Sequence, residues 1–281
     1  MISFVSVTHF TDPACPFAFS AEPTMRRLEW LFGDGLDWET VLVVLSERPE
    51  DHEAKGLTPE KLSTGYRNLY EAYGMPIDWR ARERVPVSVD ACRDVAATRT
   101  FAPGRARLLL RNQRVLGMGG GLLDDPGLRA RAAGDAGIDA GEITRRRSDP
   151  EVERSLQADK TAARTPTAAA RAQDHKLGGP DDERRYTCPS LELRANGSAL
   201  SLPGFQPVEA YEAAVANLAP GLSRRADPES AGEVLEWAPF PLATAEVAAV
   251  RGIDAADAHV ELAAAGARFE PVGADGYWSG A

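Results

Sequence analysis

Residues 12–19 read "DPACPFAF", directly after the apolar opening "ISFVSVTHF" of residues 2–10. The opening is rich in Ile, Phe and Val and alternates weakly, which predicts a strand. Asp12-Pro13 ends it. A helix is expected from about Pro16 to Phe32. Pro16 suits its first turn, where a missing N–H costs nothing. Met25, Leu28 and Leu31 are spaced to face a core, and Pro23 is expected to kink the helix. Gly33-Asp34-Gly35 closes it. "LDWETVLVVLS" (36–46) predicts a second strand, whose near-continuous apolar run suits burial on both faces. Strand, helix and strand in this order suggest a βαβ unit.

Cys15 therefore stands at a predicted helix N-terminus. Unpaired N–H groups and the positive end of the helix dipole favour the thiolate there, and the thiolate is the nucleophile. In a Cys-x-x-Cys motif the second cysteine would fall at residue 18, which is Ala18. Three readings stay open: a redox nucleophile without its partner, a catalytic thiol of another kind, or a small buried cysteine.

From about Thr58 to Arg164 the pattern is helical. "TPEKLSTGYRNLYEAYG" has a Thr cap, a following Pro and a closing Gly. Two later segments, "DDPGLRARAAGDAG" and "SDPEVERSLQADKTAAR", open with acidic or Ser caps and a proline. Cys92 falls on an apolar helix face and reads as a structural thiol. Residues 165–185 read as a loop with a short helix. "TCPSLELRANGSALSLPG" then predicts two strands around an Ala-Asn-Gly turn, and "QPVEAYEAAVANLA" a helix. Residues 221–232 read as a linker. The tail, 233–281, reads as two short helices and a hairpin, with Trp237, Phe240, Phe269, Tyr277 and Trp278 as its small core, or with Trp278 reaching the main domain.

The chain has 281 residues and a formal net charge of −10. That length buries a core without staples, and that charge argues against nucleic acid as a partner. The tail's excess of Glu and Asp argues the same against reading it as a DNA-binding winged helix. No apolar run is long enough for a membrane span. The opening lacks a secretory signal, so the cytoplasm is the expected compartment. Three cysteines, Cys15, Cys92 and Cys188, do not make a disulfide framework. Four scattered histidines do not suggest a metal site. His9 is near the Cys15 loop in sequence and reads as a core or edge histidine rather than a general base.

The order of elements resembles the thioredoxin fold of the DsbA family. "DPACPF" resembles that family's opening around its cysteine. Pro23 resembles the kink proline of the active-site helix. "TCPSLEL" resembles the segment carrying a cis-proline before an edge strand, and "GFQPVEAYEAAVANL" the opening of the last helix. Cytosolic members are nearest in appearance, and the resemblance covers roughly residues 1–220. It implies an α/β chain: a thioredoxin-like domain from 1–50 and 185–220, and an inserted all-helical domain with its connecting loop from 51–184. The tail, 233–281, lies outside the resemblance and is expected to form a small winged-helix-like α+β module, a docking, lid or dimer contact.

The same resemblance implies a thiol–disulfide oxidoreductase, or a monothiol variant, acting through Cys15 on a thiol or disulfide substrate, protein or small molecule. It brings the loop at Pro189 against Cys15, so Cys188 is an implied second catalytic sulfur. Pro16, Phe17, Ala18, Thr187 and Pro189 are the implied substrate contacts. No resident cofactor is implied; glutathione is an implied co-substrate. Ala18 also suits two alternatives: the kappa glutathione transferase and 2-hydroxychromene-2-carboxylate isomerase type, and a redox-inactive adaptor.

Overall fold

A computed structural model describes residues 4–280. The first strand, β1 (Val5–Thr11), leads through Cys15 into α1 (Pro16–Ser20) and α2 (Glu22–Phe32), and β2 (Leu36–Leu42) returns parallel to β1. The βαβ reading therefore holds. The predicted single kinked helix is instead two helices meeting at Ala21. Pro23 has no N–H to give to the turn before it, so the regular helix breaks just upstream. β2 is also shorter than expected. Val44 takes φ 54°, a left-handed conformation costly for a β-branched residue. The Leu45 N–H is thereby turned onto the Asp12 carboxylate at 2.8 Å.

A long helical segment follows β2: α3 (Glu50–Glu53), α4 (Pro59–Tyr73), α5 (Val89–Phe101), α6 (Ala106–Met118), α7 (Pro126–Asp135), α8 (Ala140–Arg146), α9 (Pro150–Ala163) and α10 (Ala168–Arg171). The segment is not continuously helical, because 74–88 is irregular. Helices α5 to α9 share a core that includes Val95, Leu109, Ile143 and Leu156, and they reach the sheet at Leu42 and Val44.

β3 (Ser190–Ala195) and β4 (Ser198–Leu202) form the predicted hairpin. Asn196 and Gly197 both take positive φ at its turn, as a two-residue hairpin turn requires. The sheet order is β2-β1-β3-β4, so β3 is an inner strand and not the edge strand expected. One face packs Val5 and Val7 against Met25 and Leu28, and against Tyr211 and Val215 of α11 (Val208–Leu218).

The tail contains α12 (Ala231–Trp237), β5 (Leu242–Ala243), α13 (Thr244–Arg251), α14 (Ala255–Ala264), β6 (Arg268–Val272) and β7 (Asp275–Ser279), with sheet order β5-β7-β6. Its apolar core is not its own. Trp30 and Leu31 of α2 pack with Val234, Val247, Leu262 and Trp278. Each such large buried side chain contributes roughly 1.5–3 kcal/mol of transfer free energy. Phe269 is 37 % exposed and only caps this cluster, contrary to the core role expected of it.

Candidate thiol site

Cys15 caps α1 with extended backbone, φ −78° and ψ 113°. Asp12 sets the turn before it: its Oδ1 accepts the Ala14 N–H at 2.7 Å, and its carbonyl accepts the Cys15 N–H at 3.1 Å. The other carboxylate oxygen accepts from Leu45 N–H, from Ser88 Oγ at 2.9 Å and from Cys92 Sγ at 3.6 Å. One buried carboxylate thus ties β1, the end of β2 and α5 together behind the thiol. Burial raises the Asp12 carboxyl, and the hydrogen bonds from Leu45, Ala14, Ser88 and Cys92 oppose that rise.

Cys188 stands against Cys15 although 173 positions separate them. The Cys15 thiol donates to the Cys188 carbonyl at 3.4 Å. When Cys15 is ionised, the Cys188 S–H donates to it instead. That bond is the main reason the Cys15 pKa lies below that of an ordinary cysteine. Burial opposes the shift, and the backbone N–H of Ala18 and the charge of Arg114 assist it. Ala18 therefore supplies an amide where a Cys-x-x-Cys motif has its second thiol. Cys188 is driven the other way: burial and the neighbouring Cys15 raise it well above the ordinary thiol value, so it stays a protonated donor. The Cys188–Pro189 peptide is cis, and all three cysteines are free.

The predicted residues do not all face one opening. Cys15 and Cys188 are 5 % and 7 % exposed and pack with Ala18, Phe10 and Tyr186. Phe17, two residues after Cys15, is 50 % exposed. Thr187 is half-buried, and its hydroxyl is already given to the Lys176 carbonyl at 2.7 Å. Pro189 is buried. A cleft of about 220 Å³ begins at Pro13, Ala14 and Pro16 and runs between Tyr66, Pro86 and Met118. Of the predicted contacts, Pro16 alone lines it.

Sequence reasoning missed the cations of this cleft. Lys55, Arg82 and Arg185 line it, and no Asp or Glu does. Their heads donate to carbonyls: Lys55 to Leu45 at 2.9 Å, Arg82 to Gly117 at 2.7 Å and Arg185 to Tyr186 at 2.9 Å. Burial lowers the Lys55 pKa, and Arg185 adds to that. Lys55 and Arg82 come from the helical segment, which no local motif joins to Cys15; "ERRY" before Thr187 was the one usable hint. His9 is not at this site. It is buried and faces the α2 side of the sheet, where burial and then Arg114 lower its pKa to about 3. Cys92 is fully buried and raised well above the ordinary value by burial and by Asp12, as befits a structural thiol.

Among the described residues no helix is long and apolar enough to cross a membrane. No family model and no curated protein sequence matches the chain. Solved structures do. A probable DsbA oxidoreductase from Streptomyces coelicolor is 18 % identical, with a TM-score of 0.56 over 80 % of this chain and 93 % of that one. A provisionally assigned protein disulfide isomerase from Nitrosomonas europaea is 14 % identical, with a TM-score of 0.56 over 76 % and 97 %. The cytosolic disulfide reductase DsbM from Pseudomonas aeruginosa is 16 % identical, with a TM-score of 0.50 over 70 % and 88 %. With a parallel β1–β2 pair, an antiparallel β3–β4 hairpin and a thiol capping α1, the chain folds as a DsbA-like thioredoxin-fold protein.

Proposed function

We propose that the chain is a thiol–disulfide oxidoreductase that uses Cys15 as a monothiol on a small acidic thiol or disulfide. The observation that carries this reading is the placement of Cys15 as the cap of α1 against the Cys188 loop, its thiol 3.4 Å from the Cys188 carbonyl, where the neighbouring Cys188 and the Ala18 amide hold its pKa below the ordinary value. The unpaired cations of the adjoining cleft support an acidic substrate, and glutathione is a natural co-substrate. Cys15 thiolate attacks one sulfur of a disulfide R–S–S–R′. The substrate S–S bond breaks, Cys15–S–S–R forms and R′S⁻ leaves. A second thiolate then attacks the sulfur of R, which restores Cys15 thiolate and releases a new disulfide. The attack is a thiol–disulfide exchange throughout, so no outside oxidant is needed. In this reading Cys188 acts as the protonated donor that stabilises the Cys15 thiolate; the alternative, in which a deprotonated Cys188 displaces RS⁻ from Cys15 and forms a Cys15–Cys188 disulfide, would make the two a dithiol pair. Residues 1–50 and 185–220 then act as the thioredoxin-like domain, 51–184 as an inserted helical domain and 233–281 as a winged-helix-like module docked on α2, all in the cytoplasm.

The test is glutathione-dependent reduction of a small mixed disulfide, with iodoacetamide alkylation of Cys15 followed against pH. Cys15→Ser is expected to abolish turnover, and Cys188→Ala to raise the pH at which Cys15 becomes reactive. Turnover that survives Cys15→Ser would sink the reading. Ala18 favours one other chemistry, a glutathione-dependent isomerase or transferase. Glutathione-dependent conversion of an electrophile, without disulfide exchange, would select it.

A further inference from the structure

A second cleft, of about 660 Å³, shares no lining residue with the one beside Cys15. Its walls come from three parts of the chain: α2 with the β1–β2 face, α6 with residues 103–105 before it, and residues 237–240 at the end of α12 and just beyond. Its charges form one network. Glu22 meets Arg26, Arg111 and Arg114; Glu29 meets Arg26 and Arg107; Glu246 meets Arg111. Four guanidiniums thus face three carboxylates, and one positive charge is left over. At the exposed lip Asp34 and Arg105 cancel.

The same residues hold a cluster of unmet hydrogen-bonding groups. His9 Nε2, Trp38 Nε1 and Arg114 Nε are buried without a partner. Arg26 Nε is also unpartnered, with Glu246 at 3.7 Å and out of hydrogen-bond reach. Buried polar groups in native proteins are nearly always paired, so a concentration of exceptions around one cleft calls for an explanation. The remaining walls are mainly apolar, with three rings, Trp38, Trp237 and Phe240, among aliphatic residues such as Met25, Leu36 and Leu108. Arg107 lies over the Trp38 ring at 4.7 Å, and Arg111 over Phe240 at 4.2 Å.

We propose that this cleft binds a small aromatic monocarboxylate. Its carboxylate takes the uncompensated positive charge of the arginine network, and its ring lies among Trp38, Trp237 and Phe240. A single surplus charge matches a monoanion better than phosphate, and the apolar walls give inorganic phosphate nothing to pack on. His9 is neutral at physiological pH, because burial and then Arg114 hold its pKa at about 3. It therefore offers hydrogen bonding rather than charge. The tail closes the site, so occupancy also holds α12 and the stretch after it against α2 and α6.

The test is isothermal titration calorimetry on the full chain with benzoate and p-coumarate, with their amides and inorganic phosphate as controls. The carboxylates are expected to bind one per chain, and the amides at least about tenfold more weakly, because a charge-assisted hydrogen bond is lost. Arg107→Gln should weaken carboxylate binding by a similar factor. Its side chain is 40 % exposed, so the fold should tolerate the change. Gly104 lines the cleft and nothing lies within 4 Å of a Cβ built there, so Gly104→Phe adds a ring at the lip without a clash at its Cβ. It should abolish binding, with circular dichroism confirming that both variants are folded. Cys15→Ser should bind as wild type does, which separates this site from the thiol chemistry. The proposal is overturned if no carboxylate binds at concentrations up to about 10 mM. It is equally overturned if amides or phosphate bind as well as the carboxylates, or if both cleft variants bind unchanged.

Discussion

Glu246 is the residue whose removal should loosen the tail most. Arg111 of α6 donates both Nη groups to it, each at 2.7 Å, and the two side chains are 6 % and 0 % exposed. Its Oε2 also accepts the Ala243 N–H at 2.9 Å, at the start of α13. Glu246→Ala leaves Arg111 buried with the Glu22 carboxylate at 3.3 Å and the Pro241 carbonyl at 3.0 Å. Removing one partner of a buried pair costs about 3–5 kcal/mol. The surviving Glu22 contact places Arg111 at the lower end, about 3 kcal/mol, and the lost bond at the α13 N-terminus adds about 1 kcal/mol. A loss near 4 kcal/mol is therefore expected. Arg111→Leu should cost about 3 kcal/mol, since it strands Glu246 with Arg26 at 3.7 Å. The double variant Arg111→Leu/Glu246→Leu should cost less than the sum of the two changes by at least about 2 kcal/mol, because no charge is then left buried alone. Urea unfolding read by tryptophan fluorescence measures all of these, with Trp237 and Trp278 reporting on the tail. Far-ultraviolet circular dichroism in parallel shows whether the tail unfolds first, in which case one two-state energy does not apply. A Glu246→Ala loss under about 1 kcal/mol, or additivity within about 0.5 kcal/mol, would refute the picture of a coupled buried pair.

Three further predictions concern charge. The Asp12 carboxylate opposes ionisation of Cys15, so Asp12→Asn should move the alkylation profile of Cys15 to lower pH; an unchanged or higher midpoint contradicts this. Burial pushes the Glu22 carboxyl up, but Arg26, Arg114 and Arg111 outweigh it and bring the pKa from 4.5 to about 2. The stability this provides is fully present above 4.5 and is lost as pH falls through about 2, a total of roughly 3 kcal/mol. In Glu22→Gln the slope of unfolding free energy over that window should flatten; an equal slope in both proteins counts against the network. His9 works in an overlapping window that extends to higher pH. Its pKa falls from 6.5 to about 3 through burial and Arg114, so the unfolded chain binds the extra proton between those values and stability falls as pH is lowered from 6.5. His9→Asn should make that decline shallower, as measured by urea titrations across the window.

How much of this could be read in advance follows how local each cause is. The strand before Cys15, the helix cap and the Asn196-Gly197 turn are decided within a few residues, and they were legible. So was the placement of Cys188 beside Cys15, although only through a resemblance in the order of elements; nothing local joins it to a residue 173 positions away. The break at Ala21 was half legible. Pro23 announced a disturbance, but whether a missing N–H bends a helix or divides it depends on what packs around it. The electrostatics were the least legible. Arg114 assists Cys15, holds Glu22 and faces His9, yet in the sequence it is one arginine in "LLLRNQRVLG" with no partner within its own helix. The same holds for Lys55 and Arg82, which create a cationic cleft in a chain of net charge −10. Net charge is a sum over the surface, whereas a site responds to the few charges beside it. The acidic composition argued against a phosphate backbone as partner, but it carried no information about the sign of the field at Cys15. That sign depends on which arginines the helical segment brings to the thiol, and it is there that Ala18 stops being the decisive residue. A second sulfur from the loop before the neighbouring strand β3, an amide at position 18 and a distant guanidinium together favour the thiolate, while Asp12 and burial oppose it.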